Sequence, residues 1–349
     1  MCFVWASPMP WLGSDRAPWG SVQAIQKRGQ RSRSVASESK KTVLAALFAN
    51  LAIAAAKTVA GLLGGSAAML AEAAHSFADT MNQVFLLVSL SLGDREPDED
   101  HPFGYGKERF FWALLAAVFI FVSGSLFSLW QGVHGLLSGE TVEGGYLLTY
   151  AVLVFALVAE GTSWWRAAHQ VRSEATAAGK PVRVYVQQSR DPTVKTVLFE
   201  DSAAVAGVLL ALAGVGLHQL TGKAFFDAGA SILIGVLLAY IAYRLGRDTK
   251  GLLIGEAARP DQREALRRTI LAHPEVEAVL ELLTMHLGPA SLLVAVRLDL
   301  RDGLSSQQVE AVSTRIEAEL AEVVPEVTQV FLDPTPRERH RQKAEAPTS

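Results

Sequence analysis

The chain has 349 residues, 50% of them hydrophobic and 19% charged, with a formal net charge of −3 and a mean hydropathy of +0.24. That charged share lies below the usual soluble range, and a near-neutral balance argues against nucleic acid or another polyanion as partner. One cysteine, Cys2, excludes an intrachain disulfide and any multi-cysteine metal site.

Residues 1–38 are Arg- and Ser-rich, acid-poor and interrupted by Pro8, Pro10 and Pro18. Their apolar part is too short and broken for a signal peptide. They read as a disordered tail or an over-extended gene start, with an organellar transit peptide as the alternative.

Six apolar runs follow, each of the order a bilayer requires, at about 42–63, 66–92, 110–137, 146–165, 196–217 and 226–243. Lys57 is the one charge in the first run. It is expected to snorkel to the headgroups, the alternative being a carboxylate partner inside the bundle. The loop between the second and third runs, GDREPDEDHPFGYGKERFF, is charged, and Lys107, Glu108 and Arg109 read as interface anchors or dimer contacts. The polar stretch 166–195 reads as a strand-like or irregular cytosolic excursion. Lys and Arg concentrate in the tail, in these two loops and after the sixth run. By the positive-inside rule both termini are cytoplasmic.

From about residue 248 the composition turns soluble. A helical pattern over 260–272 precedes β-rich runs at 276–287 and 291–300 around Gly288-Pro289. An amphipathic helix over 305–323, capped by Ser305 or Ser306, and a strand at 327–332 complete an αββαβ order, which fits a ferredoxin-like α+β domain. The expected division is a tail (1–38), a six-span α-helical membrane domain (39–247), a cytosolic α+β dimerisation domain (248–335) and a disordered tail (336–349).

The second run carries the chemistry, in Ala71–Gln83, AEAAHSFADTMNQ. Glu72, His75, Asp79 and Asn82 recur at helical spacing and form one polar stripe. Such a stripe inside a membrane is costly unless it faces protein, water or an ion. Imidazole with carboxylate suits zinc and its neighbours.

The motifs LAEAAHSFADTMNQ, HPFGYGKERFFW, LFEDSAAVAGVLLA and FDAGASILIGVLLAY, with LGP at 287–289 and FLDP ending at Pro334, stand in order over residues 40–335. In these the chain resembles the cation diffusion facilitator family of divalent-metal/proton antiporters, nearest the branch of mitochondrial-type zinc transporters. The resemblance implies a homodimer that exchanges Zn²⁺ or a similar ion for H⁺ across a lipid bilayer by alternating access, with no cofactor and no enzymatic activity. It implies a tetrahedral site with His75 and Asp79 from the second span and Asp201 from the fifth. The fourth ligand would stand at 197, where this chain has Val197. Glu200 is expected to replace it, with Asn82 or water as alternatives. Asp227 is family-like, and either caps its own helix or lies on the ion path. Asp98 and His101 match part of a loop metal site whose third position is Tyr105. In the cytosolic domain Phe331 stands where a His is usual. His273, His286 and Asp333 make no convincing cluster, so the domain is expected to dimerise without metal. Glu160 either lines the cavity or marks the interface. His134, His169 and His218 read as interfacial.

The expected function is therefore Zn²⁺ efflux, most simply across a bacterial plasma membrane. The alternatives are Fe²⁺, Co²⁺, Mn²⁺ or Ni²⁺ as cargo, or a scaffold that lost turnover with the ligand at 197.

Overall fold

The computed structural model describes residues 47–138, 146–188 and 192–336, with the side chains of 187–198 outside that description. Both tails, the turn after the third span and the side chain of Val197 thus lie outside the described residues.

Among the described residues, five helical stretches are long and apolar enough to cross a membrane. They are α1 (Leu47–Gly64), the continuous helix Glu108–Ser138, α5 (Tyr146–Ala177), Phe199–Thr221 within α7 (Pro192–Thr221), and α8 (Phe225–Ile254). The sixth helix, α2 (Ala67–Gly93), is 27 residues long. Its polar stripe lowers its apolarity, and it packs against the Glu108–Ser138 helix, α7 and α8 inside the bundle. Helices satisfy their own backbone groups, which is why an apolar chain in lipid takes this form.

The Glu108–Ser138 helix is not uniform. α3 (Glu108–Phe119) and α4 (Phe127–Ser138) flank a π-helical segment, Ile120–Leu126. Here small residues let helices touch. A Cβ at Gly235 of α8 would meet the Leu129 backbone at 2.9 Å, and one at Gly132 would meet the Ala228 carbonyl at 2.7 Å. Ser125 donates to the Gly235 carbonyl and Ser231 to the Ser128 carbonyl, each at 2.8 Å. Close backbone approach and hydroxyl bonds of this kind are how helices associate when apolar burial offers no gain.

The stretch after the fourth span departs from expectation. α5 runs on to Ala177, Gly179 turns the chain at φ 63°, and α6 (Val182–Gln188) is helical. Among the described residues, no strand lies beside the β-branched pattern VRVYV. A lone strand would leave its backbone groups unpaired, whereas a helix pairs them internally.

Beyond α8 lie α9 (Pro260–Leu271), β1 (Val276–Gly288), β2 (Ser291–Leu300), α10 (Ser306–Val323) and β3 (Val327–Pro334). The sheet order is β1-β2-β3, antiparallel from Val276↔Leu300 to Gly288↔Ser291, then parallel with Val294↔Val330. Alternate residues of β2, Leu292, Val294, Val296 and Leu298, are buried against Leu266, Ile270, Ile316 and Leu320 of the two helices. Ser305 caps α10 in a reciprocal box with Gln308.

The α2–α3 loop seats on this domain. A Cβ at Gly106 would meet the Leu287 carbonyl at 2.6 Å, so glycine is required for the approach. Lys107 Nζ lies 3.9 Å from Met285 Sδ, and Phe103 meets Phe331 edge-on at 6.3 Å. Arg109 pairs with Asp94 at 2.8 Å, and Glu108 accepts from Trp112 Nε1 at 2.8 Å. The three charges expected as anchors are thus engaged within the chain.

Candidate metal site

The polar stripe of α2 faces protein. His75 Nε2 stands 3.5 Å from Asp79 Oδ2, one turn on. The imidazole is 3% exposed, and neither ring nitrogen has a hydrogen-bond partner. Buried polar atoms are normally satisfied, so two orphan nitrogens on one ring mark a position suited to a ligand. The next turn reaches α7, where Asn82 Nδ2 donates to both oxygens of Glu200 at 3.0 Å. Asp201, beside it, accepts from Ser163 Oγ of α5 at 3.0 Å. The packing of α2 on α7 and the Asn82–Glu200 bond place these acids on facing helices.

The structure therefore brings His75 to Asp79, and Asn82 to Glu200. The two candidates for the fourth ligand are bonded to each other. It does not gather the whole set: among the described residues, no three His, Cys, Asp or Glu side chains are close enough together to hold one ion. Hydrogen bonds from Ser163 and Asn82 hold the α7 carboxylates in this arrangement.

Lys57 contradicts the snorkelling expectation. Its ammonium is wholly buried and bridges two acids, Glu72 Oε2 of α2 at 2.9 Å and Glu160 Oε1 of α5 at 2.7 Å. The physical reason is that Glu72 faces inward at the same depth, and a buried carboxylate draws in any cation within reach. Glu160 thus turns into the bundle, onto Lys57. Sequence reasoning also missed Ser163. The available signal was the coincidence of one cation and two isolated acids in three separate apolar runs.

Asp227 does not cap its own helix. It accepts from Ser66 Oγ at 2.7 Å and from the backbone N–H groups of Ala67 and Ala68 at 2.6 and 3.4 Å. It is therefore a cap for α2, supplied from α8. His218 is buried rather than interfacial, while His134 and His169 stack on Trp130 and Trp165.

In the loop, Asp98 accepts from Tyr105 Oη at 2.6 Å and from the His101 N–H at 2.8 Å. The Tyr105 bond, then the backbone bond, holds the Asp98 carboxyl below the usual carboxylate range. A carboxyl depressed on folding adds stability above its unfolded pKa, and that stability is lost as pH falls through the folded value. Tyr105→Phe should therefore move the Asp98 titration up towards the ordinary carboxylate value, measured by carboxyl-carbon NMR on Asp-labelled protein. In the cytosolic domain, Asp333 pairs with Arg297 at 2.8 Å and His273 with Glu319 at 3.3 Å. His286 is buried in β1 and Phe331 is exposed.

Residues 43–254 match the cation efflux transmembrane domain. A mitochondrial proton-coupled zinc antiporter of Xenopus laevis is 34% identical over 266 residues, 74% of this chain and 47% of that protein. Metal tolerance protein C4 of Arabidopsis thaliana is 32% identical over 261 residues, 75% of this chain and 57% of that protein. A manganese efflux system protein of Bacillus subtilis is 26% identical over 298 residues, 85% of this chain and 96% of that protein. The chain spans about half the length of the zinc antiporter it matches.

Proposed function

The chain belongs to the cation efflux family, and from that premise we propose that it exports Zn²⁺ in exchange for protons, as a homodimer working by alternating access. The observation that carries this reading is the packing of α2 on α7, joined by the Asn82–Glu200 bond: an imidazole with unpartnered nitrogens and a carboxylate on one helix, two carboxylates on the other. His75, Asp79 and Asp201 hold the ion, and Glu200, steered by Asn82, supplies the fourth donor in place of Val197. Zinc needs neutral imidazole and ionised carboxylate, so ion and protons compete for one set of groups. Protons arriving from the far side release the metal, and the pH gradient drives export. Residues 39–247 form the transport domain in this reading and 248–335 the dimerisation domain. In this reading the membrane is a bacterial plasma membrane, and both termini face the cytoplasm, the side that the loop charges favour.

The test is zinc flux into proteoliposomes under an imposed pH gradient. Wild type should show gradient-dependent flux, and Asp79→Ala and Glu200→Ala should each lower it by at least about tenfold. Loss only in Asp79→Ala would return the fourth donor to Asn82 or water. Absence of wild-type flux for zinc, cobalt, iron and manganese alike would leave a scaffold that does not transport. The excess of carboxylates over imidazole favours Mn²⁺ as the second cargo to assay, since oxygen donors suit it.

A further inference from the structure

We propose that Glu160 is a further cargo ligand, supplied by a third helix, which leaves Lys57 and turns onto the ion held by His75, Asp79 and Asp201. The proposal rests on the metal-site reading above and adds α5 to it.

Lys57 is shared by two carboxylates, and each keeps one oxygen, Glu72 Oε1 and Glu160 Oε2, that is buried with no hydrogen-bond partner. The triad thus carries one carboxylate more than its ammonium neutralises. An arrangement that used both acids only as structural partners would leave that charge and those oxygens without compensation. A divalent ion arriving nearby removes the deficit.

The two acids differ in freedom. Glu72 is 0% exposed and closed in by α7, because a Cβ at Gly207 would overlap its Oε1. Glu160 is 14% exposed, so it has room to swing while Glu72 retains Lys57 as a neutral pair. Its direction is set by its helix. Glu160 stands three residues before Ser163, on the same face of α5, and Ser163 already touches Asp201. A second observation points to an ion at this place: His75, 3% exposed, has both nitrogens unpartnered beside Asp79. With Glu160 the donors come from α2, α5 and α7, and a zinc site that is not closed can expand from four donors to five. Lys57 then acts as a tethered cation that holds Glu160 while the cargo is absent.

Equilibrium Zn²⁺ binding to the purified full chain in detergent tests this, with thermal melting to confirm folding. Glu160→Gln keeps an acceptor for Lys57 and leaves Lys57–Glu72 neutral, so it should fold; it should bind Zn²⁺ about tenfold more weakly. Lys57→Met/Glu72→Gln removes the competing ammonium and should bind more tightly than wild type, and adding Glu160→Gln should cancel that gain. The visible spectrum of bound Co²⁺, which reports donor number, should change in Glu160→Gln and not in the Lys57→Met/Glu72→Gln variant. Wild-type affinity and an unaltered Co²⁺ spectrum in Glu160→Gln would overturn the proposal, as would unchanged affinity in the double variant. Should any of these fail to fold, Glu160→Asp makes the same distinction: it keeps the charge at Lys57 but shortens the reach, so unchanged affinity and spectrum would overturn the proposal. Unchanged binding in Asp79→Ala would instead overturn the metal site on which it rests.

Discussion

Lys57→Met should cost about 3–5 kcal/mol of stability, the usual loss when one member of a buried ionic group is removed. The ammonium is fully buried and holds Glu72 and Glu160 at 2.9 and 2.7 Å. Methionine fills a similar volume, so packing is conserved and the loss is electrostatic. It leaves two carboxylates facing each other in an apolar bundle with no cation between them. The expected order of melting temperatures is wild type highest and Lys57→Met lowest. Lys57→Met/Glu72→Gln should fall between, because one unpaired acid costs less than two. Adding Glu160→Gln should recover most of the remainder, since an all-neutral triad of the same shape is close to energetically equal. A Lys57→Met protein that melts with wild type would mean that the ammonium is hydrated, as a snorkelling lysine would be.

That triad shows where sequence reading reached its limit. His75 and Asp79 were legible because helical spacing alone puts positions four apart on one face. Ser305 was legible as a cap, and β2 as a half-buried strand, for the same reason: each signal lies within one element. Lys57 pairs with residues 15 and 103 positions away, and Asn82 with one 118 away. No spacing rule connects these, since they depend on which helices pack together. A lone lysine in an apolar run therefore read as a snorkeller by default, although the isolated acids Glu72 and Glu160 were in view. The helix at 182–188 failed differently. Its β-branched residues carry a real local preference, but strand propensity is expressed only where a neighbouring strand can pair. The cytosolic domain supplies such neighbours, and there the alternating pattern and the observed sheet agree.

Asp227→Ala should lower stability by about 2–4 kcal/mol through helix α2 rather than through its own helix. Asp227 is buried and accepts from Ser66 Oγ, Ala67 N–H and Ala68 N–H. The first N–H groups of a helix have no partner within it, and a carboxylate there both bonds them and opposes the positive end of the dipole. Alanine leaves those donors dry inside the bundle. Asp227→Asn keeps an acceptor without the charge and should cost roughly half as much. The pair also separates capping from ion conduction. A cap needs an acceptor, so Asp227→Asn should retain zinc flux in proteoliposomes while Asp227→Ala loses flux along with folded protein. An ion-path residue needs its charge. Asp227→Asn with a near wild-type melt and no flux would therefore move Asp227 from the cap of α2 to the route of the ion. Zinc affinity resolves the remaining case, because His75 and Asp79 lie more than two turns beyond the capped end. A capping defect should leave that affinity nearly unchanged in whatever fraction of Asp227→Ala remains folded.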